Sequence, residues 1–356
     1  MPRLARLDAP GLLQHVMARG IERTKIFRDE KDRKSFVERF AGVLESTQTQ
    51  CYAWALIPNH FHALLRTGVV PLSKVMRRFM TGYAVTFNKR HKRSGHLFQN
   101  RYKSVVCEED PYLLELIRYI HLNPLRAGLV KDLKELDRYR WAGHSAILGR
   151  RKNPLIPHQQ KAPDRREGPD EPTKPLAEKT IEDVLLHFGQ TKKVARRRYR
   201  EFVEKGIEQG RRPDLQGGGL IRSAGGDKKG FIGRKKEDRE KGDARILGSG
   251  DFVDETLHQA EATLEKKYLP KRPIEELVEI VASHLDLNTE RIISASRKKT
   301  ISEARALICH FAINDLSYSA SEVARSLAIS RVNAGRCAER GKKDLDRYAD
   351  LKDVTQ

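Results

Sequence analysis

Along the first 148 residues, apolar positions alternate between strand and helix spacing. Gln14 to Gly20 predicts a strand, and Asp32 to Leu44 predicts a helix because Phe36, Phe40 and Leu44 recur every four residues. Cys51 to Thr67 is a long apolar stretch interrupted by Pro58, which predicts two paired strands or one strand bent at Pro58 and Asn59. Pro71 to Lys92 predicts an amphipathic helix with Leu72, Met76, Phe79, Tyr83 and Phe87 on one stripe. His96 to Glu108 returns to strand character. A further helix opens with Asp110 as capping carboxylate and Pro111 in the first turn, and stops near Leu122, before Pro124. This order predicts an α+β domain over residues 1–148, with helices on one side of an antiparallel sheet.

The pattern then breaks. Six prolines between Pro154 and Pro175, set among charged residues, and ten glycines between Gly217 and Gly250 predict a flexible basic linker over residues 149–251. Within it, Thr180 to Gly206 reads as helical and very basic. Helical periodicity resumes near Phe252, and residues 252–356 predict an all-α domain, with Ile274, Leu277, Val278, Val281 and Leu285 on one apolar face. Thr300 with Glu303 and Ser319 with Glu322 are capping-box spacings. Ser319 to Asn333 reads as a helix, a tight turn and a second helix: Val323, Leu327 and Ile329 face inward, while Ser330, Arg331, Asn333 and Arg336 start the second helix facing out. Arginine suits guanine edges, asparagine suits adenine and serine suits phosphate, so this arrangement predicts contact with duplex DNA in the major groove. Three-helix bundles without DNA carry such residues too.

Composition fits folded modules joined by a solvated segment: 356 residues, 38% hydrophobic and 33% charged, with a net charge of +21. The longest apolar runs fall far short of the ~20 residues that span a bilayer, and the N-terminus has no apolar block with a cleavage site. Cys51, Cys107, Cys309 and Cys337 lie far apart, without metal-finger spacing or disulfide density. Membrane proteins and disulfide miniproteins are excluded, and a cytoplasmic, nucleoid-associated chain is expected. The charge is uneven: Ser46 to Cys107 holds ten Lys or Arg and no Asp or Glu. Such a segment predicts a phosphate-bearing partner, hence nucleic acid; a solvated basic face is the alternative. Arg77, Arg78, Lys89, Arg90, Lys92, Arg101 and Lys103 are the candidate backbone contacts.

Two positions bring chemistry into view. In a strand, His60 and His62 share a face while Phe61 points the other way, so two imidazoles can grip one divalent metal. An H-x-H pair by itself equally suits two surface or core histidines. Tyr119 and Asn123, four residues apart, share a helix face. Asn123 could offer its amide oxygen to a metal or simply cap the helix; Tyr119 could be a nucleophile or a half-buried helix tyrosine. His121 lies about 160° of helix rotation from Asn123 and reads as structural. Tyr102, Tyr112 and Tyr139 also lie near these segments, but only Tyr119 has an asparagine four residues later.

Three segments, Ala55 to Leu64 (ALIPNHFHAL), Gly95 to Tyr102 (GHLFQNRY) and Arg118 to Val130 (RYIHLNPLRAGLV), resemble the HUH single-tyrosine transposases, and within them the REP-associated tyrosine transposases. The resemblance covers roughly residues 10–148. It implies a ferredoxin-like fold, His60 and His62 as metal ligands with Asn123 as the third, Tyr119 as nucleophile, and Mg²⁺ or Mn²⁺ as cofactor. It implies cleavage of single-stranded or hairpin DNA through a 5′-phosphotyrosine with release of a 3′-hydroxyl, and two active sites that cooperate in a homodimer. Residues 271–345 resemble the DNA-binding domain of replication initiators and the Trp-repressor-like helix-turn-helix group, on Ser296, Arg297, Arg305 and the last helix pair; the sequence RVNAGR from Arg331 to Arg336 departs from the initiator pattern. No G-x-x-x-x-G-K-[ST] phosphate loop occurs. The rival expectations are a catalytically silent DNA-binding regulator of palindromic repeats, a replication or conjugation nickase, and an RNA-directed factor.

Overall fold

The structure is a computed structural model that describes residues 6–157, 174–210, 212, 215, 242–268, 272–294, 296, 298–316, 318–344, 347–348 and 351. It divides into two compact units, Met1–Glu261 and Ala262–Gln356.

In the first unit, β1 (Leu13–Arg19) leads into α1 (Glu30–Ser46), whose first turn is capped by Asp29 accepting from the Asp32 amide. β2 (Gln50–Ile57) and β3 (His60–Arg66) form a hairpin turned at Pro58 and Asn59, so the apolar stretch is two paired strands. α2 (Leu72–Arg90), β4 (Lys103–Cys107) and α3 (Glu109–His121) follow. Short helical turns α4 (Asn123–Arg126), α5 (Leu133–Leu136) and α6 (His144–Ile147) come next, then α7 (Leu176–Leu186) and α8 (Lys192–Glu204). A two-residue strand β5 (Ile246–Leu247) and the start of α9 (Gly250–Tyr268) complete the unit. The sheet order is β2-β3-β1-β4-β5; all pairs are antiparallel except β4 with β5, which are parallel.

The helices do not lie on one side of the sheet, as the element order suggested. α1 and α2 cover the face presented by Val16, Phe61, Ala63 and Leu65, while α3, α7 and α8 cover the face presented by Leu13, Ala55 and Leu64. The reason lies in β2 and β3, which are apolar at consecutive positions and so need cover on both faces. Part of the expected linker is accordingly a structural layer: Val184 and Leu185 of α7 and Ala195, Tyr199 and Val203 of α8 are buried in the core beneath β2 and α3. Residues 158–173 and 216–241 of that stretch lie outside the described residues. α3 also starts earlier than expected, with Glu108 rather than Asp110 at its N-cap; the Glu108 carboxylate instead accepts from the Ser249 amide at 2.7 Å. Strand character between His96 and Glu108 is confined to β4 and a single bridge between Phe98 and Gly20.

The second unit contains α10 (Ile274–His284), α11 (Thr289–Ile293), α12 (Lys299–His310) with a π-helical turn at Phe311–Asp315, α13 (Ala320–Ser326) and α14 (Arg331–Asp344). The Ser319–Glu322 capping box forms, whereas α12 starts at Lys299 behind Lys298 with no side-chain cap, so Thr300 lies inside the helix. α12 and α14 cross closely at Gly341, where a Cβ would lie 2.1 Å from the Ala306 carbonyl oxygen; only glycine fits there. Buried Arg305 binds the carbonyls of Ile292 (2.6 Å), Ser296 (2.8 Å) and Ser294, and thereby pins the segment after α11.

Candidate active site

Pleating sends Phe61 into the α1/α2 core and both His60 and His62 to the α3 face, with ring centres 5.1 Å apart. Register then fixes their neighbours: Arg19 stands opposite His60, and Met17 stands opposite both His62 and Lys103. α3 lies over this face and sets the Tyr119 ring 6.2 Å from the His62 ring and 6.0 Å from that of His15, in edge contact with each. A cavity of about 870 Å³ opens there, lined by His60, His62, Tyr119 and Asn123 and, around them, by Arg19, Arg23, Gln99, Asn100, Arg101, Lys103 and Arg126. Two strand imidazoles, a helix phenol and a carboxamide one turn further on share one space.

The imidazoles are neutral. Burial holds His60 down to about 4, with the Arg19 charge adding to it. Burial, then His15, His60 and Arg19, keep His62 well below the ordinary imidazole range. Burial also lowers His15 to about 4, against the opposing pull of the Leu215 carbonyl. At neutral pH each ring therefore keeps one nitrogen lone pair. The Nδ1 atoms are engaged: His60 Nδ1 lies 2.7 Å from Asn59 Oδ1, and His62 Nδ1 lies 3.0 Å from His15 Nε2. Asn123 Nδ2 is buried without a hydrogen-bond partner among the described residues. Arg126 sits with its guanidinium 5.1 Å from the centre of the Tyr119 ring and donates to the Tyr119 carbonyl at 3.3 Å.

Among the described residues no three His, Cys, Asp or Glu side chains are grouped to hold a metal by themselves. Two neutral imidazoles and an under-satisfied carboxamide facing one cavity still make a donor set that fits a divalent cation whose remaining ligands come from water or substrate. The alternative tyrosines do not line this cavity. Tyr102 is buried in the α1/α2 core, Tyr139 donates to the Leu56 carbonyl, and Tyr112 packs at the edge of the α3 core. His121 is buried, with Nδ1 2.8 Å from the Tyr199 hydroxyl, which also lies 2.9 Å from His144 Nδ1; His144 Nε2 in turn faces Asp137 at 3.0 Å. This network ties the end of α3 to α8, as its structural reading requires.

The candidate DNA contacts separate into groups. Arg101 and Lys103 line the cavity, whereas Arg77, Arg78, Lys89, Arg90 and Lys92 are exposed on or just after α2, against the opposite face of the sheet. The positive field of residues 46–107 is also partly compensated from outside that segment: Arg90 pairs with Asp29 and Asp32 at the start of α1, and Arg66 pairs with Glu109 at the start of α3. In the second unit Ser330, Arg331, Asn333 and Arg336 are all exposed on α14 and in the turn before it, although Ser330 Oγ accepts from the Asn333 amide and so acts as the helix cap. Arg297 lies outside the described residues. Residues that the sequence did not single out are His15, Asn59, Arg19, Arg23 and Arg126. The position of Arg126, three residues after Asn123, was a usable signal; His15 needed the β1–β3 register.

Residues 9–123 match the family described as transposase, IS200-like. No curated protein matches the chain. A solved structure described as the REP-associated tyrosine transposase bound to a REP hairpin is similar at 16% identity, with a TM-score of 0.35, over 47% of this chain and 95% of that one. The matched stretch holds β1 to α3 and ends on Asn123, so the part of the chain that is similar to the IS200-like transposases contains both cavity histidines, the tyrosine and the asparagine.

Proposed function

We propose that the first unit cleaves and rejoins single-stranded or hairpin DNA through a 5′-phosphotyrosine, with Tyr119 as nucleophile. The observation that carries this reading is the shared cavity of His60, His62, Tyr119 and Asn123, contributed by a strand, a helix and the turn after it. The element order β-α-β-β-α-β with strands arranged 2-3-1-4 supports a ferredoxin-like core, to which α3 adds a helix on the far face. A bound Mg²⁺ or Mn²⁺ would polarise the scissile phosphate, and His60, His62 and Asn123 are the residues that would hold it. Arg19, Arg23, Arg101 and Lys103 around the cavity hold the flanking phosphates by charge. Tyr119 Oη attacks phosphorus in line, its proton passing to water; the P–O3′ bond breaks, and the leaving oxygen takes up a proton to become the 3′-hydroxyl. The ester conserves the bond energy, so rejoining needs no nucleotide triphosphate.

The second unit, a helix, tight turn and helix from Ser319 to Asp344, is proposed as a helix-turn-helix grip on duplex DNA through Arg331, Asn333 and Arg336, with Val332 (66% exposed) beside them for thymine methyl contact. Joined to the first unit, it raises occupancy by effective concentration. The test is covalent capture of a 3′-labelled oligonucleotide ladder spanning a hairpin, the 3′-side fragment being the one a 5′-phosphotyrosine retains. Wild type should give an adduct that survives denaturing gels, and Tyr119→Phe should give none while still shifting the DNA in a native gel. An adduct with Tyr119→Phe would refute the nucleophile. Binding without any adduct from wild type would favour a catalytically silent regulator.

A further inference from the structure

Two chains of hydrogen bonds run from backbone carbonyls to the cavity histidines, and each has only one consistent set of proton positions. Leu215 carbonyl oxygen lies 3.4 Å from His15 Nδ1, and His15 Nε2 lies 3.0 Å from His62 Nδ1. A carbonyl only accepts, so His15 carries its proton on Nδ1 and its lone pair on Nε2. That lone pair can only accept, so His62 carries its proton on Nδ1. The lone pair of His62 is thereby left on Nε2, on a ring that lines the cavity.

The second chain has the same logic. Asn59 Nδ2 donates to the Arg23 carbonyl at 3.2 Å, which turns Asn59 Oδ1 toward His60 Nδ1 at 2.7 Å. Oδ1 accepts, so His60 also carries its proton on Nδ1 and its lone pair on Nε2. Two adjacent rings could otherwise populate four tautomer combinations. Only the combination with both lone pairs on Nε2 satisfies both chains.

We infer that His15 and Asn59 are positioning residues that fix both cavity histidines as Nε2 donors, and that the Leu215 carbonyl, more than 90 residues beyond the family-matched stretch, takes part in setting the site. Neither residue lines the cavity. Each acts by removing the competing tautomer and holding its partner's ring plane, which is how the outer hydrogen bond of a metal-binding histidine raises affinity. The step to metal affinity rests on the function proposed above; the tautomer assignment does not.

The experiment uses the full chain, ¹⁵N-labelled and freed of metal by chelation, with long-range ¹H–¹⁵N spectra of the imidazoles assigned through His60→Gln and His62→Gln. Both rings should show protonated Nδ1 and bare Nε2. His15→Leu should move His62 to a tautomer mixture and leave His60 unchanged, and Asn59→Ala should do the reverse. His15→Gln, whose side-chain oxygen can still accept, should restore His62. Mn²⁺ titration should show affinity falling by ~10-fold or more for His15→Leu and recovering for His15→Gln. A wild-type His62 protonated on Nε2, or a His62 signal indifferent to His15→Leu, would overturn the inference. If His15→Leu does not fold, the Asn59→Ala and His15→Gln spectra decide alone. The expected tautomers in a protein that takes up no Mn²⁺ would support the relay and retire the metal reading.

Discussion

The two faces of one sheet are built from the same strands and solve different problems. On the α1/α2 face, Phe36 meets Phe27, Phe61, Phe79 and Tyr83 edge-on with ring centres 4.7–5.0 Å apart, a hydrocarbon core with directional aromatic contacts. On the α3 face, the rings at comparable depth are His15, His62, Tyr119, His121, His144 and Tyr199, joined by polar atoms as well as by packing. Residues one apart on β3, Phe61 and His62, are buried to 1% and 6% exposure in opposite layers. One layer supplies stability, and the other spends some of it on holding neutral, hydrogen-bonding rings in fixed places.

The largest effect expected from breaking this contrast is on the aromatic side. Phe36→Ala should lower the unfolding free energy of the first unit by about 3–5 kcal/mol, the usual loss for a fully buried phenylalanine, read from urea denaturation. Acid should weaken the other face next. His15 has a folded value of about 4 against an ordinary 6.5, so the unfolded chain binds the proton first. Stability attributable to this ring is intact above pH 6.5 and falls as pH drops from 6.5 toward 4, by on the order of 2 kcal/mol between pH 7 and pH 5. His60 and His62 act in the same direction. The denaturation midpoint should fall over that range, and the fall should shrink in His15→Gln; a flat profile would contradict the neutral buried cluster. Tyr199→Phe should cost about 1–2 kcal/mol, because two buried imidazole nitrogens lose the hydroxyl between them, and hydrogen exchange should rise in α3 before it rises in α1.

The same contrast separates what was legible in the chain from what was not. Strand alternation alone sends His60 and His62 to one face and Phe61 to the other, and the four-residue spacing of Tyr119 and Asn123 puts both on one side of the helical path that runs from α3 through Leu122 into α4. Which layer α3 joins is not a local property. The hint was the doubly apolar β2, since a strand buried on both faces needs a helix on each. The charge run from residue 46 to 107 divides for a similar reason: Arg90 is answered by Asp29 and Asp32, some sixty residues earlier, and the α2 cations face away from the cavity that Arg101 and Lys103 line. Tyr199, His144 and Asp137 meet only once α8 is docked, so the prolines before it read as the edge of a linker when they precede a packed layer. His15 is invisible until β1 is paired in register with β3.

The smallest expected effect sharpens the comparison most. His62→Leu replaces a buried imidazole by an isosteric hydrocarbon beneath α3, next to Leu64 on the same strand face. The change removes the cost of dehydrating the ring, leaves His15 Nε2 without its partner, and adds apolar area; these terms oppose one another, so unfolding free energy should stay within ~1 kcal/mol of wild type. Phe61 one residue away allows no such exchange, since Phe61→His would bury an imidazole with no polar partner among Phe36, Phe79 and Leu65. If the α3 face were only a second core, His62→Leu would be silent in every assay. If it is a site, the same substitution should leave the denaturation curve in place while abolishing the DNA adduct and Mn²⁺ uptake, so that stability and chemistry part at a single strand position.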